Sequence, residues 1–552
     1  MHELWIRAQQ NFEQKNFAGS ESTLSELLLL EENNRPALEL LSVVYLTAGR
    51  TDDCIDVLQR LCSFYPSVAA YCERLADLLE RRGDINDAIK SYQRLLECNT
   101  GLANCHYNLA RLLNRAGDPE HALKQYQSAL NLGIDQAEDV YSNMSVILSD
   151  RHRHDEAQAA LNTALEINPN YVPALFNLGV VLEELGEWTK ASDLFKRILQ
   201  LEPEHLDALT HLAHGKPVSN SNDPLIAQLE TALNSLSNSV SNPVSNRDSQ
   251  KEALHFALGK ALDDSKQYDD AFKHFSQGNA FSVQRSGAYD RLANENLNSA
   301  LMALQNAEWL NSIEPASDSS PIFICGMFRS GSTLLEQMLA AHPNVSAGGE
   351  INFFNKELAL PQTLDALSAE RLQEVGSAYL RYLKELFPDA ERVTNKRPDN
   401  FVYLGLIRAM YPNARFINTL RYPLDNCLSI YFQQFAGSVK YHSQLLDIGH
   451  YYAQYRHLMA FWKQRFSGNV FDVDYQQLVS EPKSVLEPLL EFLDLDWHDA
   501  CLEFHKADNR VRTASVWQVR QPLYQRSKGR WNHYAQHLGP LEEYLLTAGI
   551  KL

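Results

Sequence analysis

Three things are scarce in this 552-residue chain, and each scarcity closes off a class of protein. Eight cysteines are present, scattered from Cys54 to Cys501 with no C-x-x-C pair. That argues against a disulfide framework or a cysteine-ligated zinc site and fits reduced thiols in a cytoplasm. No apolar run approaches the ~20 residues that a membrane-spanning helix needs. The opening Met1-His-Glu-Leu-Trp5 lacks the basic segment and apolar core of a secretory leader, so a cytoplasmic location is expected. No metal-like cluster of side chains is evident, so no metal is expected.

Positive charge is the third shortage, and it is unevenly placed. The chain holds 50 Lys+Arg against 69 Asp+Glu, a net charge of −19. From Pro321 onward there are 24 of each sign, leaving 26 and 45 in the first 320 residues. The whole excess is therefore N-terminal. An acidic front half argues against nucleic acid as a partner. It suits a basic partner, or it serves solubility alone.

What the sequence does contain is organised around Pro321-Ile-Phe-Ile-Cys-Gly-Met-Phe-Arg-Ser-Gly-Ser-Thr-Leu-Leu335. The apolar run Pro321 to Cys325 predicts a buried strand. A glycine-bounded loop, Gly326 to Gly331, comes next. Ser332 to Ala341 predicts a helix with Leu334, Leu335, Met338 and Leu339 on one face. Strand, glycine-bounded loop and helix make an anion site, because free N–H groups and the positive end of the helix dipole converge. The spacing approaches a phosphate-binding P-loop, G-x-x-x-x-G-K-[ST]. Gly326, Gly331 and Thr333 fit, but Ser332 stands where the lysine belongs and the loop carries Arg329 instead. A nucleoside triphosphatase needs that lysine. The loop is expected to hold a phosphate-like group without being a standard triphosphatase.

The first ~210 residues repeat. Gly49, Gly83 and Gly117 are each 34 apart, as are Ala88 and Ala122, Ala157 and Ala191, and Pro169 and Pro203. The blocks beginning Tyr107-Asn-Leu-Ala110 and Phe176-Asn-Leu-Gly179 resemble tetratricopeptide repeats, and about six units are expected. Such arrays stack into a superhelix whose groove takes a peptide or protein; the alternative use is support for folding or for a homodimer. A Ser/Asn-rich region around a short helix, Leu225 to Leu236, leads to a further repeat-like pair at Phe256 to Phe275 and a long helix, Tyr289 to Asn306. The expected domains are 1–215 (repeats), 216–318 (linker and helical segment) and 319–552 (an α/β domain).

Past Leu339, strands alternate with helices, which predicts a parallel sheet with ligands at the carboxyl ends of its strands. The strands are a short one before Gly349-Glu350, Val393 to Lys396, Ala414 to Leu420 and Val470 to Val473; helices are expected over Gln362 to Leu386 and around Ser429. Arg329, Glu350, Lys396, Arg421 and Tyr475 each follow or end a strand.

These residues carry a resemblance. From Pro321 to about Trp531 the chain resembles sulfotransferases that use 3′-phosphoadenosine 5′-phosphosulfate (PAPS), and among them tyrosylprotein sulfotransferases. The match rests on Phe328-Arg-Ser-Gly-Ser-Thr-Leu334, Ala341-His-Pro343, Gly349-Glu350, Asn395-Lys396, Arg421-Tyr-Pro with Ser429, and Asp474-Tyr-Gln-Gln-Leu-Val479. The repeats in front resemble a group of bacterial fusions. The resemblance implies that Arg329, Ser330, Gly331, Ser332 and Thr333 hold the 5′-phosphosulfate, that Arg421 and Ser429 hold the 3′-phosphate, and that Tyr475 lies near the adenine. Ser515 and Lys528 are implied to close over the nucleotide. Glu350 is the implied base, and Lys396, with Arg329, the implied stabiliser of the leaving oxygen; 3′-phosphoadenosine 5′-phosphate (PAP) is the product and no metal is required. A tyrosine of a recruited peptide or protein is the expected acceptor. Ile351-Asn352 stand where the tyrosylprotein enzymes have Thr-Arg, so a basic peptide, a polysaccharide or a small phenol or alcohol stays open. A repeat scaffold whose domain binds a nucleotide without turnover is the alternative of another class.

Overall fold

The computed structural model describes residues 1–552 except 152, 216–217, 219, 239–243, 315–320, 361, 363, 436, 438 and 507–527. It divides into two compact units, Met1–Leu178 and Gly179–Leu552.

The first twelve helices make six helix–turn–helix units. They are α1 (His2–Glu13), α2 (Phe17–Leu30), α3 (Arg35–Thr47), α4 (Thr51–Phe64), α5 (Ala69–Arg82), α6 (Ile85–Cys98), α7 (Ala103–Arg115), α8 (Pro119–Asn131), α9 (Ala137–Asp150), α10 (His154–Ile167), α11 (Val172–Glu184) and α12 (Trp188–Leu201). The recurring residues have structural reasons. Ala88, Ala122, Ala157 and Ala191 are wholly buried, because paired helices approach too closely there for a larger side chain. Gly83 takes φ +97° and ends α5 in the left-handed conformation that most residues avoid. Within the first unit, leucines and tyrosines such as Leu79, Tyr92, Leu109 and Tyr126 form one continuous core from repeat to repeat.

The second unit continues with α13 (Leu206–Gly215), α14 (Pro224–Asn238), α15 (Val244–Asp264), α16 (Tyr268–Ser286) and α17 (Arg291–Leu304). The last is shorter than its periodicity predicts, because the Asp290 side chain accepts from the Ala293 N–H and starts the helix there. The sheet comes next: β1 (Ile322–Gly326), β2 (Val345–Ser346), β3 (Arg392–Lys396), β4 (Arg415–Leu420) and β5 (Val470–Asp474). Its order is β2-β3-β1-β4-β5, parallel throughout. Helices α18 (Ser332–Ala340), α19 (Phe353–Leu358), α20 (Ala369–Leu386), α21 (Asn400–Met410), α22 (Pro423–Tyr431), α23 (Leu445–Arg465), α24 (Tyr475–Ser480), α25 (Pro482–Phe492) and α26 (Ala535–Thr547) complete it. The helical stretch expected from Gln362 becomes regular only at Ala369, where the Ser368 hydroxyl caps the Arg371 N–H.

The central strand is buried on both faces, which is why it reads as an unbroken apolar run. Ile322 and Ile324 join a layer with Leu335, Met338, Ile417 and Leu489. Phe323 and Cys325 point the other way, into a layer with Tyr379, Phe416, Leu404 and Trp462. The chain leaves β1 for β2 and β3 on one side and returns to β4 and β5 on the other. The carboxyl end of β1 is therefore a topological switch point, where parallel sheets open a crevice.

Candidate active site

The loop Gly326–Gly331 leaves β1 at that crevice and opens α18. Gly326 has φ +145°, and a Cβ there would stand 2.6 Å from the Thr419 carbonyl oxygen. Gly331 has φ +100°, and its Cβ would stand 2.4 Å from Cδ2 of Tyr475. Both positions need glycine for conformation and for space. Arg329 also adopts a left-handed φ, +64°, which costs a non-glycine residue energy and is held by neighbours. Arg421 Nη1 donates to the Arg329 carbonyl at 3.0 Å, and Asn426 Nδ2 donates to the Phe328 carbonyl at 2.9 Å.

The fixed backbone aims the side chains. Arg329 Nε donates to Ser429 Oγ at 3.3 Å. The guanidinium carbon of Arg421 lies 5.3 Å over the Tyr475 ring, a cation–π contact that holds both against the loop. Arg329, Gly331, Arg421, Ser429 and Tyr475 are thus brought together at the N-terminus of α18. Ser332 and Thr333 form the first turn of that helix, the part of a helix that directs its N–H groups outward from the end. Ser330 is placed differently from the other loop residues. Its hydroxyl is buried, bonded to the Met327 carbonyl at 2.7 Å and to Thr419 Oγ1 at 2.6 Å, so it braces the loop.

A second group lies on the other side of β1. Lys396 ends β3, in register with Ile324. It is wholly buried, and its Nζ donates to Glu350 Oε1 at 2.6 Å. Glu350 is 37% exposed, so its carboxylate reaches from solvent to a buried ammonium. The Gly348–Gly349 turn that presents Glu350 is pinned: Gly348 N–H donates to Thr394 Oγ1, and Lys396 N–H donates to the Gly349 carbonyl. Behind both stands Glu336, a residue of α18 that sequence reasoning missed. Its Oε1 accepts from Gly349 N–H at 3.0 Å and from Thr394 Oγ1 at 2.7 Å. Burial pushes its carboxyl up, Lys396 pulls it down, and Glu350 raises it further. The available signal was a lone carboxylate in the apolar helix run Leu334 to Leu339.

Lys528 is exposed, on a segment that Asp425 seats against α22. Asp425 Oδ2 accepts from Gly529 N–H at 2.8 Å and Oδ1 from Trp531 N–H at 2.9 Å. Ser515 lies outside the described residues. Among the described residues no group of three or more His, Cys, Asp or Glu is placed to hold a metal, and no helix is long and apolar enough to cross a membrane.

Two guanidinium groups, a serine hydroxyl and a helix N-terminus at one point form a donor set for an anion of several charges. The carboxylate–ammonium pair across β1 adds a base and a cation. Residues 321–499 match the model of the sulfotransferase family, and residues 66–133 and 148–213 match models of the tetratricopeptide repeat. An uncharacterized protein of Aquifex aeolicus (strain VF5) is 31% identical over 431 residues, 74% of this chain and 55% of that one. Protein-tyrosine sulfotransferase 1 of Danio rerio is 28% identical over 229 residues, 37% of this chain and 61% of that one. The protein-tyrosine sulfotransferase of Drosophila melanogaster is 28% identical over 245 residues, 38% of this chain and 46% of that one. The chain spans about half to three-fifths of the length of these relatives.

Proposed function

We propose that this chain, in which a sulfotransferase-family domain follows tetratricopeptide repeats, moves a sulfuryl group from PAPS to an acceptor hydroxyl. The observation that carries the reading is the meeting of Arg329, Arg421 and Ser429 at the start of α18, across β1 from the Lys396–Glu350 pair. PAPS supplies an activated sulfuryl group on a bridging phosphate oxygen. Arg329 and the first-turn N–H groups at Ser332 and Thr333 hold its 5′ end. Arg421 and Ser429 hold the 3′-phosphate, and Tyr475 lies beside the base. Glu350, facing solvent, takes the proton of the acceptor hydroxyl as the new O–S bond forms. A phenol, with a pKa near 10, needs such a base at neutral pH. Lys396 and Arg329 neutralise charge gathering on the bridging oxygen as its bond to sulfur breaks and PAP leaves. A cation there favours the transition state over the ground state.

A tyrosine of a peptide or protein recruited by the repeats is the acceptor we infer, supported by the activity named for the animal relatives. The residues after the base favour a second reading. Ile351 is 7% exposed and Asn352 is uncharged, so neither position supplies a cation to grip an acidic peptide. A basic peptide, a sugar or a small phenol fits that edge as well. We place the reaction in the cytoplasm, which the eight free thiols support.

Calorimetry with PAP tests the donor. Wild type is expected to bind PAP without magnesium and far more tightly than ADP, and Arg421→Ala is expected to lose about 100-fold or more, the scale of a charge-assisted phosphate contact removed. Absence of PAP binding to wild type sinks the reading and leaves a scaffold as the account.

A further inference from the structure

The donor residues that the family resemblance implies lie at or beyond Arg329, yet part of what holds them comes far earlier in the chain. Asp263, at the end of α15, is 13% exposed and accepts from Arg530 Nη2 at 2.6 Å and from the Tyr534 hydroxyl. Arg530 and Tyr534 belong to the short stretch whose Gly529 and Trp531 N–H groups are held by Asp425. The Trp531 ring lies 5.7 Å from that of Tyr422, the residue after Arg421. The stretch Lys528–Tyr534 is therefore fastened from two sides. Asp425 fixes its backbone onto the first turn of α22, next to Arg421. Asp263 fixes its side chains onto the repeat-like helix α15, while the Tyr268 and Phe272 rings of α16 lie against that of Tyr534. Two of the fastening bonds join residues 267 and 271 positions apart. Pairing an arginine with a carboxylate away from water carries a desolvation cost, and here the pair fixes the position of a neighbouring backbone.

We propose that Asp263 is a positioning residue of the donor site: through Arg530 and Tyr534 it seats Lys528–Trp531 beside Arg421, so that α15 and α16 are a working part of the donor site. The inference rests on the reading that this site takes PAPS. Loosening Asp263 then weakens nucleotide binding at a distance, without touching any residue that contacts the nucleotide.

The test uses the full chain, with PAP as the probe, and compares wild type, Asp263→Asn, Asp263→Glu and Tyr534→Phe. Asp263→Asn is expected to bind PAP about 10-fold more weakly, on the scale of a lost ion pair. Asp263→Glu is expected to recover part of that loss, and Tyr534→Phe, which removes one hydroxyl and should fold normally, to lose about 3-fold, one hydrogen bond. Hydrogen exchange read on the same proteins gives a signal independent of PAP: the amides of Gly529 and Trp531 are expected to exchange faster in Asp263→Asn, while those of β1 do not. A purely structural role would lower the melting temperature and leave PAP affinity within about 2-fold, less than one hydrogen bond; that outcome, or unchanged exchange at 529–531, overturns the inference while leaving the donor reading intact. Wild type failing to bind PAP overturns the donor reading itself, and the inference with it.

Discussion

The two units use charge in opposite ways. In the first, each ion pair keeps at least one exposed member, and several join neighbouring repeats. Arg82 pairs with Asp52 at 2.7 Å, and Arg111 and Arg115 both reach Glu80 at 2.6 Å. The partners sit 30 to 35 positions apart, one repeat, so the same contact can recur along the array. In the second unit, two pairs have one fully buried member. Lys396 meets Glu350 with no exposure of its own, and Glu252, also fully buried, meets Arg285 and Ser282. Arg285 also donates to the Phe435 carbonyl, in the loop after the helix that carries Ser429. A charge brought out of water is costly unless it is fully paired. The array uses charge for solubility and register; the second unit uses it to hold elements that surround a site.

Two substitutions set those uses against each other. Arg285→Gln leaves the Glu252 carboxylate buried and short of its cation, and is expected to destabilise the second unit by about 3 kcal/mol, the scale of a broken buried pair. Arg81→Gln removes an exposed partner of Asp77, 74% and 52% exposed, and is expected to cost less than about 0.5 kcal/mol, shrinking further with salt. Calorimetric melting of both variants measures the difference. Equal effects would erase the distinction between the units.

Glycine sharpens it further, because the same substitution meets different surroundings. Gly117, after α7, has φ +85°, and a Cβ added there would meet nothing within 4 Å, so Gly117→Ala is expected to cost only the left-handed backbone conformation, about 1 kcal/mol. Gly331→Ala adds the Tyr475 ring at 2.4 Å to the same backbone cost. Tyr475 must move, and with it the guanidinium of Arg421. PAP affinity is expected to fall at least about 10-fold in Gly331→Ala, about 1.4 kcal/mol or more, and to stay unchanged in Gly117→Ala, as measured by titration.

The repeats and the loop are legible in the sequence because their signals are local. A 34-residue period and a glycine-bounded loop between an apolar run and a helix can be read without knowing what lies across the fold. The pairing of Lys396 with Glu350 is not legible: the resemblance points to both for the reaction, but nothing near either residue in the sequence signals that the two meet. Glu336 escapes notice because its two donors, Gly349 and Thr394, come 13 and 58 positions later. Asp425 and Asp263 escape it for the same reason, their partners lying 104 to 271 positions away. The resemblance assigns Ser330 to the 5′-phosphosulfate, and nothing in its own neighbourhood signals that its hydroxyl meets Thr419.

The last difference lies in acid. In the second unit, burial pulls the pKa of His255 down to about 4, with His274 and Lys251 adding to it. Burial likewise pulls His442 down to about 4, opposed by Glu252 and assisted by Arg285. Both folded values lie below the unfolded value near 6.5, so the stability each contributes is complete above about pH 6.5 and is lost as the pH falls toward 4. At pH 5 that loss is up to about 2 kcal/mol for each histidine. In the array, Glu80 is held below its usual range by its hydrogen bond to Arg111, so its contribution is lost only below about pH 4.5. Between about pH 7 and pH 5, the melting transition of the second unit is therefore expected to move down while that of the array stays nearly fixed. Substituting His442→Gln should remove part of the shift. If both transitions move together, the titrating groups that matter are not these buried histidines, and the acid response gives no distinction between the units.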